Sequence, residues 1–143
     1  MTALRPALLH TVPMACVLVV DDDRGVREVL ATMLGLDGHD VVAAIDGVEA
    51  RTLLEGGCRP DLILLDVMMP TMGGFDFRAW QRGSPHAHVR VLVVTAAPIA
   101  EDELDALAGC ELLPKPFGFS TLIGEVRRCL EGLVTSAPVE EEA

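Results

Sequence analysis

DLILLDVMMP, residues Asp61 to Pro70, poses the question that decides the fold. Leu62, Ile63, Leu64 and Leu65 run apolar without polar alternation, the pattern of a strand buried on both faces. The run then ends on Asp66, and a carboxylate is costly to bury unless it is paired or bound. Val67, Met68 and Met69 follow before Pro70 stops the stretch.

The same pattern recurs on both sides. Cys16 to Val20 is a short run rich in β-branched residues and is followed by Asp21, Asp22 and Asp23. From Arg24 the period changes to that of a helix. Val26, Val29, Leu30, Met33 and Leu34 share one face, Asp22 or Asp23 can cap its start, and Gly38 can stop it. Strand-like Asp40–Ala44 leads to a helical stretch from Gly47 to Gly56, with Asp46 as a turn residue. After the Asp61–Leu65 strand comes a helix over Gly73–Gln81 carrying Phe75, Trp80 and a solvated Asp76. Val89–Thr95 reads as a strand and Ile99–Ala108 as a helix whose leading acids suit its N-terminal dipole. A short strand, Glu111–Leu113, precedes Lys115. The last helix spans Ser120–Leu133, with Ser120 as its cap and Leu122, Ile123, Val126, Cys129 and Leu130 inward. Five strands alternating with five helices over short connections imply a doubly wound (βα)5 α/β fold with a five-stranded parallel sheet.

Composition narrows the function. The chain has 143 residues, half of them apolar, which suits one domain with a full core. No run reaches the roughly 18 apolar residues of a membrane span. Residues 1–14 read as an N-terminal extension. Pro6, His10 and Pro13 break a signal-peptide pattern, and Pro13 is wrong for a lipoprotein site at Ala15-Cys16. A net charge of −11 argues against sequence-independent binding to nucleic acid or anionic membranes, and is compatible with metal cations and basic partners. Residues 134–143 read as an acidic, disordered tail. Cys16, Cys58, Cys110 and Cys129 are too scattered for a disulfide framework or a zinc site. Three of them read as small core residues, and a reducing cytoplasm fits. His10, His39, His86 and His88 match no ligand pattern and read as surface residues. Met68, Met69 and Met72 read as packing residues.

In doubly wound sheets ligands bind beyond the carboxyl ends of the strands. Those ends carry Asp21, Asp22 and Asp23, then Asp66, then Thr95, then Lys115. Crowded carboxylates resist joint ionisation. A hard divalent cation such as Mg²⁺ relieves the conflict and takes oxygen ligands. An acid at a strand end is by itself an ordinary cap, the reading preferred for Asp23. The joint pattern carries the argument.

VLVVDDD (17–23), LLDVMMP (64–70), VTA (94–96) and KPF (115–117), with IDGVEA (45–50), resemble the receiver domain of two-component response regulators. The resemblance covers residues 15–133 and implies a flavodoxin-like sheet of strand order 2-1-3-4-5. It implies Asp66 as the phosphoacceptor for a sensor histidine kinase or histidine phosphotransfer protein, by covalent chemistry at a carboxylate. It implies Asp22 and Asp66 as direct Mg²⁺ ligands, Met68 as a ligand through its carbonyl, and Asp21 as the acid holding metal waters. Thr95 and Lys115 would contact phosphoryl oxygens, with a cis peptide between Lys115 and Pro116. The expected protein is a cytoplasmic stand-alone receiver with no output domain. It is not an enzyme beyond promoting its own phosphotransfer and slow dephosphorylation. Its downstream partner is an unspecified protein, and a phosphorylation-linked homodimer is allowed.

The chain departs from the family pattern. Leu112 stands where the family has Tyr or Phe, an inward-swinging ring. The stretch from Thr95 to Lys115 is about two residues short, and Pro114 removes a donor from the last strand. Met72-Gly73-Gly74 lacks the usual acid that caps the third helix. Met68 and Ala97 offer no polar group to orient a water, which implies a long-lived phosphoryl group. Two other readings stay open. A pseudo-receiver would bind partners without phosphorylation, a reading that Leu112 keeps alive. A haloacid-dehalogenase-type phosphatase would need a second Asp at Met68 and a cap insertion.

Overall fold

The computed structural model describes residues 14–69, 72–96 and 98–142, the side chains of residues 132–142 excepted. Five helices alternate with five strands. In order they are β1 (Cys16–Val20), α1 (Arg24–Leu36), β2 (Asp40–Ala44), α2 (Gly47–Glu55), β3 (Leu62–Leu65), α3 (Gly74–Arg82), β4 (Arg90–Thr95), α4 (Glu101–Ala106), β5 (Glu111–Pro114) and α5 (Phe119–Glu142). The strands form one parallel sheet in the order β2-β1-β3-β4-β5, the flavodoxin-like arrangement expected.

Strand alternation explains how one sheet builds two cores. Val17, Val19, Leu62, Leu64, Leu92 and Val94 face α1 and α5, where they meet Leu30, Leu34, Leu122 and Val126. Leu18, Val20, Ile63, Leu65, Val91 and Val93 face the other way, against Ala50, Leu54, Phe77 and Leu107. Both parities of β3 are therefore apolar. Each fully buried leucine contributes roughly 1.5–3 kcal/mol, enough to hold a strand whose end carries a charge.

Caps follow the sequence in part. Asp23 accepts from the Val26 N–H at 3.0 Å and caps α1. Asp46, expected only in a turn, caps α2 through the Glu49 N–H at 2.9 Å. Gly73 gives α3 no side-chain cap, as Met72-Gly73-Gly74 predicts. Ser120 lies inside α5, which already starts at Phe119, so it is not the cap. The backbone of α5 is helical to Glu142 rather than ending at Leu133 before a disordered tail. The extension read in residues 1–14 lies outside the described residues except for Met14.

Two sequence readings are corrected. His39 is buried, not at the surface. Its Nδ1 accepts from the Ala15 N–H at 3.3 Å, and its Nε2 lies 3.1 Å from Asp37 Oδ2. Arg127 closes the network onto the same Asp37 carboxylate, linking α1, β1 and α5. Among the cysteines only Cys129 is buried. Cys16 at the start of β1, Cys58 in the loop before β3 and Cys110 in the turn before β5 are half-buried.

The Asp37 network makes a pH prediction. The hydrogen bond from Arg127 is the main force holding the Asp37 carboxyl below its usual 3.8; burial opposes it, and the Arg127 charge and His39 assist. A depressed folded-state value means the stabilisation is fully present above the unfolded value and is lost as pH falls through the folded one. The Tm gap between wild type and Asp37→Asn is therefore expected to be constant near neutrality and to close below about pH 4. Thermal melts across that range check it; a gap that widens in acid contradicts it.

Candidate functional site

Parallel strands end together, so the residues that follow them share one edge. The Asp21 N–H donates to the Ala44 carbonyl at 3.1 Å, and the Asp66 N–H to the Val20 carbonyl at 3.0 Å. These bonds extend the ladder one residue past β1 and β3 and set both acids side by side. Asp21 and Asp66 are buried, while Asp22 is exposed. Carboxylate oxygens of Asp21, Asp22 and Asp66 all lie within 4.8 Å of one another.

Each acid is held by the main chain or by a cation. Asp21 Oδ1 accepts from the Asp23 N–H at 2.9 Å, which closes the loop into α1. Arg27, a residue the sequence did not single out, donates from Nη1 to the Asp21 carbonyl at 2.8 Å. Asp66 Oδ1 accepts from the Met68 N–H at 3.0 Å. The Met68 backbone thus lies at the site although the residue is 57 % exposed. Lys115 Nζ is 3.0 Å from Asp21 Oδ2 and 3.9 Å from Asp66 Oδ2, and the Lys115–Pro116 peptide is cis.

Burial pushes the Asp66 carboxyl above its ordinary range. The Met68 N–H pulls it back, Asp21 and then Asp22 push it up, and Lys115 draws it down. Three carboxylates face one ammonium here, so the site has room for further positive charge. The all-oxygen donor set fits a hard divalent cation such as Mg²⁺.

Thr95 is buried at the end of β4, and its carbonyl accepts the Lys115 N–H at 3.0 Å. Pro114 pairs with Thr95 in register and is exposed. Its missing donor is tolerated because β5 is an edge strand. Leu112 is 45 % exposed, and it lines with Thr95, Ile99 and Leu104 a cavity of about 300 Å³.

Two glycines that the sequence reading placed only at helix starts shape the rim. A Cβ on Gly74 would lie 2.5 Å from Val67 Cα and 2.7 Å from the Asp66 carbonyl oxygen. Helix α3 therefore starts in contact with the backbone of the loop that follows β3. A Cβ on Gly47 would lie 2.5 Å from the Met72 carbonyl oxygen, which accepts the Gly47 N–H at 3.1 Å. Their signal was position: each glycine opens a helix at this edge. The structure brings together Asp21, Asp22, Asp66, Met68 and Lys115, with Thr95 joined to Lys115 through the ladder. Asp23 serves as the cap alone. Pro70 and Ala97 lie outside the described residues.

A family model for the response regulator receiver domain matches residues 17–127. The chain belongs to this family. Curated relatives of the receiver include response regulator MprA of Mycobacterium sp. (strain KMS), 41% identical over 116 residues, covering 80% of this chain and 50% of the relative. MprA of Mycobacterium tuberculosis is 40% identical over the same shares. The receiver thus spans about half the length of these relatives. Among solved structures, the Vibrio cholerae chemotaxis protein CheY4 is 34% identical with a TM-score of 0.74, covering 82% of this chain and 99% of its own. Thermotoga maritima TrrA, solved in complex with Mg²⁺-BeF, is 29% identical with a TM-score of 0.73, covering 81% and 99%. No described helix of the receiver is long and apolar enough to cross a membrane.

Proposed function

We propose that residues 15–133 form a phosphoacceptor switch in which Asp66 takes a phosphoryl group from a phosphohistidine of a sensor kinase or phosphotransfer protein. One observation carries the reading: the buried Asp66 carboxylate stands within 4.8 Å of two further acids, with a lysine ammonium 3.9 Å away. That set is poor for a structural role and well suited to a metal-assisted phosphoryl acceptor.

An Asp66 carboxylate oxygen attacks phosphorus as the P–N bond breaks and the imidazole takes the electron pair. Asp22, Asp66 and the Met68 carbonyl would hold Mg²⁺ directly and Asp21 would hold its waters, and the ion would neutralise phosphoryl charge. Asp66 Oδ1 is aimed by the Met68 N–H. Lys115 transfers its ammonium from the Asp21–Asp66 edge to a phosphoryl oxygen. Thr95 donates its hydroxyl to another. Movement of Thr95 opens the cavity it shares with Leu112, and an inward turn of that leucine does the work of an aromatic ring. The chain acts in the cytoplasm on protein partners. A net charge of −11 disfavours direct contact between this domain and nucleic acid. A phosphorylation-linked homodimer is compatible with the exposed Leu104 and Leu112.

Intact mass after acetyl phosphate and Mg²⁺ tests the proposal. Wild type is expected to gain one phosphoryl group, about 80 Da, and Asp66→Asn none. No gain in either leaves the pseudo-receiver reading. Following the same adduct in time tests its persistence. Met68 presents no polar side-chain atom to position a water, so slow loss is expected; loss within seconds contradicts it.

A further inference from the structure

Asp21 and Asp22 are neighbours in the chain but are held in opposite ways. Asp21 is buried, and its polar groups are all partnered. Its N–H donates to the Ala44 carbonyl at 3.1 Å, its Oδ1 accepts from the Asp23 N–H at 2.9 Å, and its Oδ2 lies 3.0 Å from Lys115 Nζ. Its carbonyl lies one step past the end of β1, where no backbone N–H of the described residues donates to it. A buried carbonyl without a donor is costly. Arg27 supplies the donor, with Nη1 at 2.8 Å. Asp22 is exposed, and its carboxylate has no hydrogen bond or ion pair among the described residues. The direction of that carboxylate therefore depends on the main chain beneath it.

One residue pins that main chain on both sides. The Arg27 side chain holds the carbonyl of the planar peptide that joins Asp21 to Asp22. The Arg27 N–H donates to the Asp23 carbonyl at 3.0 Å. Asp22 thus lies between two carbonyls bonded to the same arginine, the first through its guanidinium and the second through its backbone. Arg27 is half-buried, so water dilutes its bond less than it would a surface contact. Arg24, in the first turn of the same helix, is exposed and pairs with Glu28 at 2.9 Å instead.

We propose that Arg27 is a positioning residue for the divalent-cation site: by holding the carbonyl between Asp21 and Asp22 it fixes the direction in which Asp22 presents its carboxylate. The inference rests on the cation reading of Asp21, Asp22 and Asp66 given above. Arg27 is not a ligand and acts through Asp22. Without the guanidinium, the Asp21–Asp22 peptide loses its only bond at that carbonyl, and the Asp22 carboxylate samples directions away from Asp66. Groups that orient a ligand from outside the coordination sphere are worth about 10–100-fold in metal affinity. Arginine suits the task because its guanidinium keeps its proton at any working pH and cannot drop the bond by titration.

Calorimetric titration of MgCl2 into unphosphorylated wild type, Arg27→Met and Arg24→Met tests the proposal. Methionine keeps an apolar stem and good helix propensity while removing every donor. Arg27→Met is expected to weaken Mg²⁺ binding about tenfold or more. Arg24→Met removes the same charge from the same helix and is expected to change it by less than about twofold, as an exposed ion pair would. The rate of adduct formation from acetyl phosphate, followed against Mg²⁺ concentration, supplies a second readout. Arg27→Met should need about tenfold more Mg²⁺ for its half-maximal rate yet approach the wild-type maximum. An arginine with a purely structural role would lower Tm and leave the Mg²⁺ dependence where it was. If Arg27→Met fails to fold, Arg27→Gln, whose side chain is too short for that carbonyl, should show the same loss of affinity. Unchanged affinity in a folded Arg27 variant, an equal loss in Arg24→Met, or a maximal rate that stays low at saturating Mg²⁺ would overturn the proposal. A wild type that binds no Mg²⁺ overturns the cation reading and this inference together. A wild type that binds Mg²⁺ but gains no phosphoryl group sinks the phosphoacceptor reading alone, and calorimetry then decides the role of Arg27.

Discussion

Gln81→Leu is expected to destabilise the protein by about 3–5 kcal/mol, more than most core truncations. Gln81 is fully buried and holds three partners. Its Oε1 accepts from Arg78 Nη1 at 2.8 Å, and its Nε2 donates to the His86 carbonyl at 3.0 Å and the Val89 carbonyl at 3.1 Å. Arg78 is itself buried; its Nη2 donates to the Ala108 carbonyl at 2.9 Å, and its Nε has no partner. Removing the glutamine amide strands a guanidinium already short of acceptors and takes a donor from the His86 and Val89 carbonyls, of which His86 keeps the Val89 N–H. The size of the effect follows from that stranding, so a double-mutant cycle distinguishes it from lost packing. Arg78→Met together with Gln81→Leu should be more stable than Gln81→Leu alone. Urea denaturation of the four proteins checks this, and strict additivity would contradict it.

Gly74→Ala is expected to reduce phosphoryl uptake from acetyl phosphate by about a hundredfold, the scale on which a 1 Å misplacement acts. The added methyl would press on Val67 Cα and the Asp66 carbonyl oxygen, both backbone atoms that cannot rotate away. Overpacking of this kind also costs about 1–3 kcal/mol of stability. Gly35 supplies the control. It lies inside α1, and a Cβ there would meet nothing within 4 Å, so Gly35→Ala should stabilise by roughly 0.5–1 kcal/mol and leave uptake unchanged. Adduct formation rates beside thermal melts separate the two effects. Normal uptake by Gly74→Ala would show that the loop yields.

The acids of the site were legible because topology does their placing. Each follows a strand end, and parallel strands bring those ends to one edge whatever the loops do. The cap at Asp23 was legible for the same local reason. The Arg78–Gln81 network was missed because a charged residue in a helix defaults to solvent. The signal was nevertheless present: Gly74, Phe77, Arg78 and Gln81 fall at i, i+3, i+4 and i+7 and are the buried stripe of α3. Reading Phe75 and Trp80 as the apolar features of that helix drew the face in the wrong direction. His39 was illegible in principle, since its partners are the Ala15 N–H and a carboxylate that Arg127 holds from a distant helix. Val29, assigned to the inward face of α1, is 52 % exposed, because the apolar stripe is wider than the sheet beneath it.

Pro114 has a further consequence. It pairs with Thr95 but has no N–H to give, so the Lys115 N–H secures the last rung between β4 and β5. The hydroxyl of Thr95 and the ammonium of Lys115, twenty positions apart in the chain, are therefore mounted on one hinged plate. On the proposed function, a phosphoryl group that drew either residue would displace the other through that bond. Binding at the acid edge and a change at the β4–β5 margin would then be one mechanical event, coupled by a single backbone hydrogen bond.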